Sequence, residues 1–267
     1  MTGIPAVFVA AAFGAVVGSF LNVCVYRLPL GKSVVWPASA CPKCQRELLW
    51  YENVPVVSWL VLRGRCRTCA TPISIQYPLV EAITAAMFGL AWWYYGPGVL
   101  LASRLLFGCA LIVLFAIDLE HHLLPNVITL PGIVIGFLCS LLLGYPGWKS
   151  SLIGLLVGGL FPFLIAEAYL RIRGREGMGM GDFKMLAMVG AFLGWPLVGI
   201  TLIVACVLGV VIGGGALLVS RRDMATRIPF GTFIAVAALV CAYFEGPVLV
   251  TYERAIRAYL TMAGLAS

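Results

Sequence analysis

Charge is scarce in this chain. Only 11% of its 267 residues are Asp, Glu, Lys or Arg, against roughly 25% in soluble domains. So few charges cannot cover a water-soluble globule of 28.6 kDa, which excludes a soluble enzyme, a disordered tail and a fibrous protein. Histidine is scarcer still, with two residues, His121 and His122, and no HExxH pattern for a zinc protease. On a helix these neighbours point about 100° apart and cannot face one ion. They read as interfacial polar residues, or as groups tuning the nearby Asp118. Long low-complexity linkers are absent, and no convincing internal repeat stands out. The apolar runs do not alternate, which speaks against a β-barrel.

What is abundant is apolar surface: 62% of residues, with a mean hydropathy of +1.02. A spanning helix needs about 20 such residues. Candidates fall at about 4–26, 79–95, 98–117, 127–143, 151–170, 184–195, 197–219 and 232–250. The sixth is short and spans only with help from its neighbours, or by continuing past Trp195–Pro196. The expected fold is an all-α polytopic membrane protein of about eight transmembrane helices. Residues 1–27 form the first helix, 28–78 a small cytosolic module, and 79–267 a seven-helix membrane domain. Gly154, Gly158, Gly159, Gly209, Gly213, Gly214 and Gly215 let helices approach closely.

Lys and Arg set the orientation. With the N-terminus outside, Arg27, Lys32, Lys43, Arg46, Arg63, Arg65, Arg67, Arg171, Arg173, Arg175, Lys184, Arg221, Arg222 and Arg227 lie inside. Lys149, Arg254 and Arg257 lie outside, and Arg104 sits near the outer face, where it snorkels. The net charge of +7 is thus a topology signal, and no nucleic-acid partner is expected. The first span is not a cleaved signal peptide, because its positive charges follow it.

The 28–78 segment is too small to hold a core without a staple. It contains Cys41-Pro42-Lys43-Cys44 and Cys66-Arg67-Thr68-Cys69. Two CxxC knuckles offer four thiolates to a tetrahedral, structural zinc. Two disulfides or four free thiols are the alternatives, and disulfides do not persist in the cytosol. Cys24, Cys109, Cys139, Cys206 and Cys241 read as small core residues.

Ionisable groups in a membrane are candidates for function. Asp118 ends the third span and Asp182 begins the sixth, both at the cytosolic side. Two facing carboxylates share a proton. One then activates water while the other donates to a carbonyl oxygen. Gly177, Gly179 and Gly181 would bring backbone close to an extended substrate. The alternative is that both aspartates cap helices, with Asp182 as an N-cap; Asp118, at a C-terminal end, is electrostatically wrong for that. A phosphate cradle in GMGMGD would need a preceding strand. Glu167 pairs with Arg171 four residues on, whereas Glu81 has no partner nearby in sequence. A transporter with the aspartates as ion sites is the rival reading, but it calls for inverted repeats and midplane sites.

Several motifs together resemble one family, the type IV prepilin peptidases. They are GSFLNVCVYRLP at 18–29, the two CxxC pairs, WYENVPVVSWLVLRGRCRTC at 50–69, YPLVE at 77–81, IDLEHHLLPN at 117–126, GMGMGDFKMLAMVGAFLGW at 177–195 and IPFGTF at 228–233. The resemblance implies a bifunctional enzyme of the bacterial inner membrane. It cleaves the basic leader of type IV prepilins or pseudopilins on the cytosolic side, then methylates the new N-terminus with S-adenosylmethionine. It maps the catalytic pair onto Asp118 and onto Asp182 of Gly179-Met180-Gly181-Asp182, a GxGD pattern shared with presenilin-like proteases. It maps the zinc module onto Cys41, Cys44, Cys66 and Cys69. Asn126 departs from the Asp that many members carry there, at neither catalytic position. Asp118, Glu120, Glu176 and Asp182 would attract the leader's Lys and Arg. The donor's sulfonium calls for acids or aromatic faces. Trp50, Tyr51, Glu52, Asn53 and Glu81 are the candidates, and their alternative role is packing the module onto the membrane.

Overall fold

The structure is a computed structural model that describes residues 3–174, 178–215 and 229–262. Among these residues there is no strand, and the regular elements are all helical. In order they are α1 (Ile4–Arg27), a 3-10 turn (Trp50–Asn53), α2 (Val57–Val61), α3 (Gln76–Tyr95), α4 (Val99–His121), α5 (Asn126–Leu143), α6 (Trp148–Leu155), a π turn (Leu156–Leu160) and α7 (Phe161–Arg173). α8 (Met180–Leu208) and a π turn (Gly209–Gly214) follow, then α9 (Phe230–Tyr243) and α10 (Glu245–Met262). The chain forms two compact units, Met1–Ile128 and Thr129–Ser267.

Among the described residues, five helical runs are long and apolar enough to cross a bilayer: Ile4–Arg27, Val99–His121, Asn126–Leu143, Trp148–Arg173 and Met180–Gly213. A sixth is added if Phe230–Tyr243 and Glu245–Arg254, bent by 97°, count as one span. Eight separate spans are not seen among the described residues, for two physical reasons. The 79–95 stretch is a helix, α3, but Gln76, Glu81 and the closing Trp92-Trp93-Tyr94-Tyr95 make it less apolar than a span. The expected sixth and seventh spans form one run, broken at Gly194 (φ 81°, ψ 176°) and not at Trp195–Pro196. A Cβ at Gly194 would overlap Ser150 Oγ and crowd Pro146, so only glycine fits this break. Of the basic residues that fixed the orientation, Arg175, Arg221, Arg222 and Arg227 lie outside the described residues, as do Glu176, Gly177 and Ile228.

In the first unit, α1 lies against α3 through glycines. A Cβ on Gly18 would come 2.7 Å from Glu81 Cα, and one on Gly14 2.6 Å from Phe88 Cβ. The opposite side of α1 exposes Ile4, Phe8, Phe13, Val16 and Phe20, a stripe suited to lipid and costly in water. Arg104 does not snorkel: it is 2% exposed and interacts within the protein. Burying a guanidinium is tolerable only with partners of that kind.

The second unit is built on α8, whose Met185, Leu186, Met188, Val189, Ala191 and Leu193 are fully buried. The run from α6 to α7 meets it backbone to backbone. A Cβ on Gly190 would overlap the Gly154 carbonyl, and one on Gly158 the Leu186 carbonyl. Ser151 Oγ seals the contact by donating to Ala191 O at 2.7 Å. The scattered cysteines are less uniform than expected. Cys241 is buried, Cys24, Cys109 and Cys139 are partly so, and Cys206 is exposed.

Candidate active site and metal centre

The 28–75 segment is organised around its cysteines. In the first knuckle Cys41 N–H donates to Arg46 O (2.9 Å), Gln45 N–H to Cys41 O (2.9 Å) and Leu48 N–H to Ser39 O (2.8 Å). The second repeats all three bonds 25 residues later: Cys66 N–H to Thr71 O (2.8 Å), Ala70 N–H to Cys66 O (2.9 Å) and Ile73 N–H to Gly64 O (2.7 Å). The residue after each second cysteine, Gln45 (φ 57°) and Ala70 (φ 53°), is left-handed, as the tight turn demands. The module is therefore an internal duplication in backbone terms, which side-chain comparison does not reveal.

The duplication points all four sulfurs inward, with their Sγ atoms within 4.8 Å of one another. Zn–S bonds of about 2.3 Å in a tetrahedron place sulfurs about 3.8 Å apart, and Cys41 Sγ lies 3.7 Å from Cys69 Sγ. No disulfide joins them in the structure. Thr71, through its hydroxyl and its backbone, pulls the Cys69 thiol down to about 6. Backbone N–H groups of Cys44 and Lys43 lower that of Cys41. The Arg46 backbone favours the Cys44 thiolate too, but desolvation and the neighbouring sulfurs win and push it up to about 11. Several thiolates gathered at one point favour a cation, and the four sulfurs could hold a metal ion.

A buried ion pair braces the knuckle. Glu52 accepts from Arg46 Nη2 at 2.8 Å and from Leu49 N–H at 3.0 Å, and the guanidinium holds its carboxyl below the usual range. Glu52 is thus committed within the module. Trp50 is 82% exposed, and Tyr51 stacks edge-on against it while accepting from Arg67 at 2.7 Å. Asn53 is exposed. Glu81 finds a partner that sequence proximity could not show: its Oε2 accepts from Val56 N–H at 2.7 Å. Val56 has φ 61° and ψ −49°, in a tight turn where Val57 N–H reaches Pro55 O at 2.6 Å. A β-branched residue there stores strain of about 1–3 kcal/mol and persists only when its surroundings enforce it.

Asp118 is in the last turn of α4 and 4% exposed, its carbonyl accepting from His122 N–H at 2.9 Å. His122 is the left-handed C-cap (φ 51°), so the two histidines leave the helix in different directions. His121 lies 3.8 Å from Glu120, and Glu167 pairs with Arg171 at 2.9 Å. Asp182, 9% exposed, is the third residue of α8 and not its N-cap, which is Gly179. Its Oδ2 reaches back to accept from Gly179 N–H at 3.2 Å. Asp182 thus sits in the first turn, at the positive end of the helix dipole. A Cβ on Gly179 would lie 3.3 Å from that oxygen, and Gly181 sits between them. Asp118 belongs to the first unit and Asp182 to the second.

Residues 12–95 match the Bacterial Peptidase A24 N-terminal domain, and residues 105–214 match the Type IV leader peptidase family. The chain is 33% identical to a prepilin leader peptidase/N-methyltransferase of Stutzerimonas stutzeri over 92% of this chain and 93% of that protein. Its identity to the protein of that name from Aeromonas hydrophila is 36%, over 85% and 87%. The Myxococcus xanthus protein is 41% identical over 78% of this chain and 62% of its own. No solved structure matches the chain. Apolar helices and these bacterial relatives together mark a multi-pass bacterial membrane protein. With both family matches in chain order and identity sustained over most of its length, the chain belongs to the type IV prepilin leader peptidase family.

Proposed function

We propose that the protein cleaves the leader peptide of type IV prepilins or pseudopilins at the cytosolic membrane face and N-methylates the newly exposed residue. The observation that carries this reading is the sustained identity to proteins named prepilin leader peptidase/N-methyltransferase. Asp118 and Asp182 perform the hydrolysis. One carboxylate takes a proton from water as its oxygen adds to the scissile carbonyl carbon, and the other donates a proton to the carbonyl oxygen. The C–N bond then breaks and the amine leaves with a proton, with no acyl-enzyme formed. Near-complete burial of both aspartates supports this role, since burial resists a second negative charge. Gly179 and Gly181 keep the backbone beside Asp182 open to an extended substrate. Acids at this face, including Glu120, attract the leader's basic residues.

S-adenosylmethionine supplies an electrophilic methyl group to the new N-terminal amine. The four cysteines hold one structural zinc, a closed shell that leaves no position for substrate. The Lys and Arg of the 28–75 segment support a cytosolic module and active site in the inner membrane. Nothing favours the transporter alternative, for which the family offers no support. The test is cleavage of a prepilin by Asp118→Asn and Asp182→Asn variants in lipid. Loss of cleavage in both, with expression kept, is the expected result. Full cleavage by either removes that residue from the mechanism.

A further inference from the structure

No Asp or Glu precedes Glu47 in the chain, whereas Arg27, Lys32, Lys43 and Arg46 do. Arg46 meets an acid, Glu52. The end of α1 and the loop after it are thus positive, with no acid of their own. Between them lies a cleft of about 280 Å³, with Arg27 as its charged lining residue and no acid in its walls. We propose that this cleft holds an anionic phospholipid, its phosphate at Arg27 and its acyl chains on the apolar lining from α1. Such a site depends on the bilayer alone and stands apart from the proposed cleavage and methyl transfer.

Along α1 the lining changes from apolar to charged, as a phospholipid does. Counted from Ile4, the roughly 20 residues that cross the hydrocarbon core end near Val23. Val16, Phe20 and Val23 line the cleft up to that depth, with Ser19 the one polar side chain among them. Val16 and Phe20 are exposed on the stripe that suits lipid. Arg27, the last residue of α1, lies about 6 Å further along the axis, where headgroups sit. Ser39 and Asn53 add a hydroxyl and an amide to the walls. A zwitterionic lipid would bring its ammonium to walls that hold a cation and no acid, so the lining favours a headgroup of net negative charge.

Arg27 also folds the loop back. It donates to Ser33 O at 3.0 Å, Pro37 O at 2.8 Å and Ala38 O at 3.4 Å. Carbonyls orient a guanidinium without neutralising it, and these bonds use three of its five N–H groups. Phosphate is the partner such a fork suits. The loop held in this way leaves Val35 83% and Trp36 75% exposed. Adjacent large apolar side chains are costly in water and at home at a membrane interface, where Trp concentrates. Val35 also lines the cleft, so the cleft is continuous with the surface that meets the bilayer.

The test is photocrosslinking of the full-length protein in phosphatidylcholine nanodiscs. These carry a trace of phosphatidylglycerol or of phosphatidylcholine with a diazirine on one acyl chain. The phosphatidylglycerol probe should label residues 16–39 about fivefold more than the phosphatidylcholine probe, the scale of one basic residue at an anionic surface. Val134 and Leu138, exposed on α5, should be labelled equally by both. Asn53→Asp is isosteric and sets an acid in the cleft against Arg27, so it should abolish the preference. Arg27→Gln should do the same; should that variant fail to fold by thermal unfolding, Asn53→Asp decides. Inorganic phosphate at constant ionic strength should leave the labelling unchanged. Equal labelling of 16–39 by both probes, an equal preference on α5, or a preference that survives either substitution in folded protein overturns the proposal. Competition by inorganic phosphate would assign the cleft to a free anion and overturn it too.

Discussion

Asp182 and Gly179 form one device. The carboxylate is held by the N–H of Gly179, and a Cβ there would sit 3.3 Å from its oxygen, a tight contact that a branched side chain would worsen. Gly179→Val should therefore cut leader cleavage by about tenfold or more, about 1.4 kcal/mol in the barrier, while leaving zinc content unchanged. Asp118→Asn and Asp182→Asn should cost about 10²–10⁴-fold or more, the range of a lost general acid or base. Rates on a single prepilin, with folding checked by thermal unfolding, measure both. Sequence alone singled out Asp118, Asp182 and the four cysteines, because unusual residue types in a membrane chain announce themselves. The alternative of Asp182 as N-cap does not hold, since capping is decided by which residue adopts the extended φ/ψ, here Gly179. The partner of Glu81 was not legible, because Val56 is 25 residues away in the chain.

At the level of elements, the helices were legible from their apolar runs, whereas their division was not. Gly194 breaks α8 through a left-handed φ that composition does not distinguish from other glycines. Gly154, Gly158 and Gly190 have a different duty, backbone contact between the α6–α7 run and α8. Gly190→Val should lower stability by about 3 kcal/mol or more, the upper range for overpacking, because the obstructing atoms are backbone and cannot rotate away. Gly199→Ala, with nothing within 4 Å of its Cβ, should be nearly silent. Thermal unfolding in detergent separates the two. The cysteine knuckles were legible from spacing, but their duplication was not. It resides in three paired backbone hydrogen bonds, while the side chains between the cysteines differ. A structural zinc contributes about 10–16 kcal/mol to the folding of so small a unit. Cys66→Ser should accordingly abolish zinc binding and make 28–75 protease-sensitive, while the apolar helices remain intact. Metal analysis and limited proteolysis check this. Chelators should act slowly, through loss of the module, and not at once as with a catalytic metal.

For the whole molecule, topology and chemistry meet in one requirement. The proposed substrate is a membrane helix with a basic leader, so on that proposal its scissile bond lies at the face where the Lys and Arg of this chain gather. Charge bias is what supports that orientation. The meeting of Asp118 and Asp182 was an expectation from chemistry, because they sit in separate units and 64 positions apart. Carboxylate hydrolysis leaves no acylated side chain, so serine- and cysteine-directed reagents should trap no intermediate at the scissile carbonyl. The most direct measurement incubates the protein in lipid with one full-length prepilin and labelled S-adenosylmethionine, and weighs the product for wild type, Asp118→Asn and Asp182→Asn. Wild type should yield a prepilin shortened by its leader and carrying one labelled methyl group, and neither variant should shorten it. A shortened product from either aspartate variant at the wild-type rate, or a covalent acyl-enzyme caught on the wild type, would contradict the account.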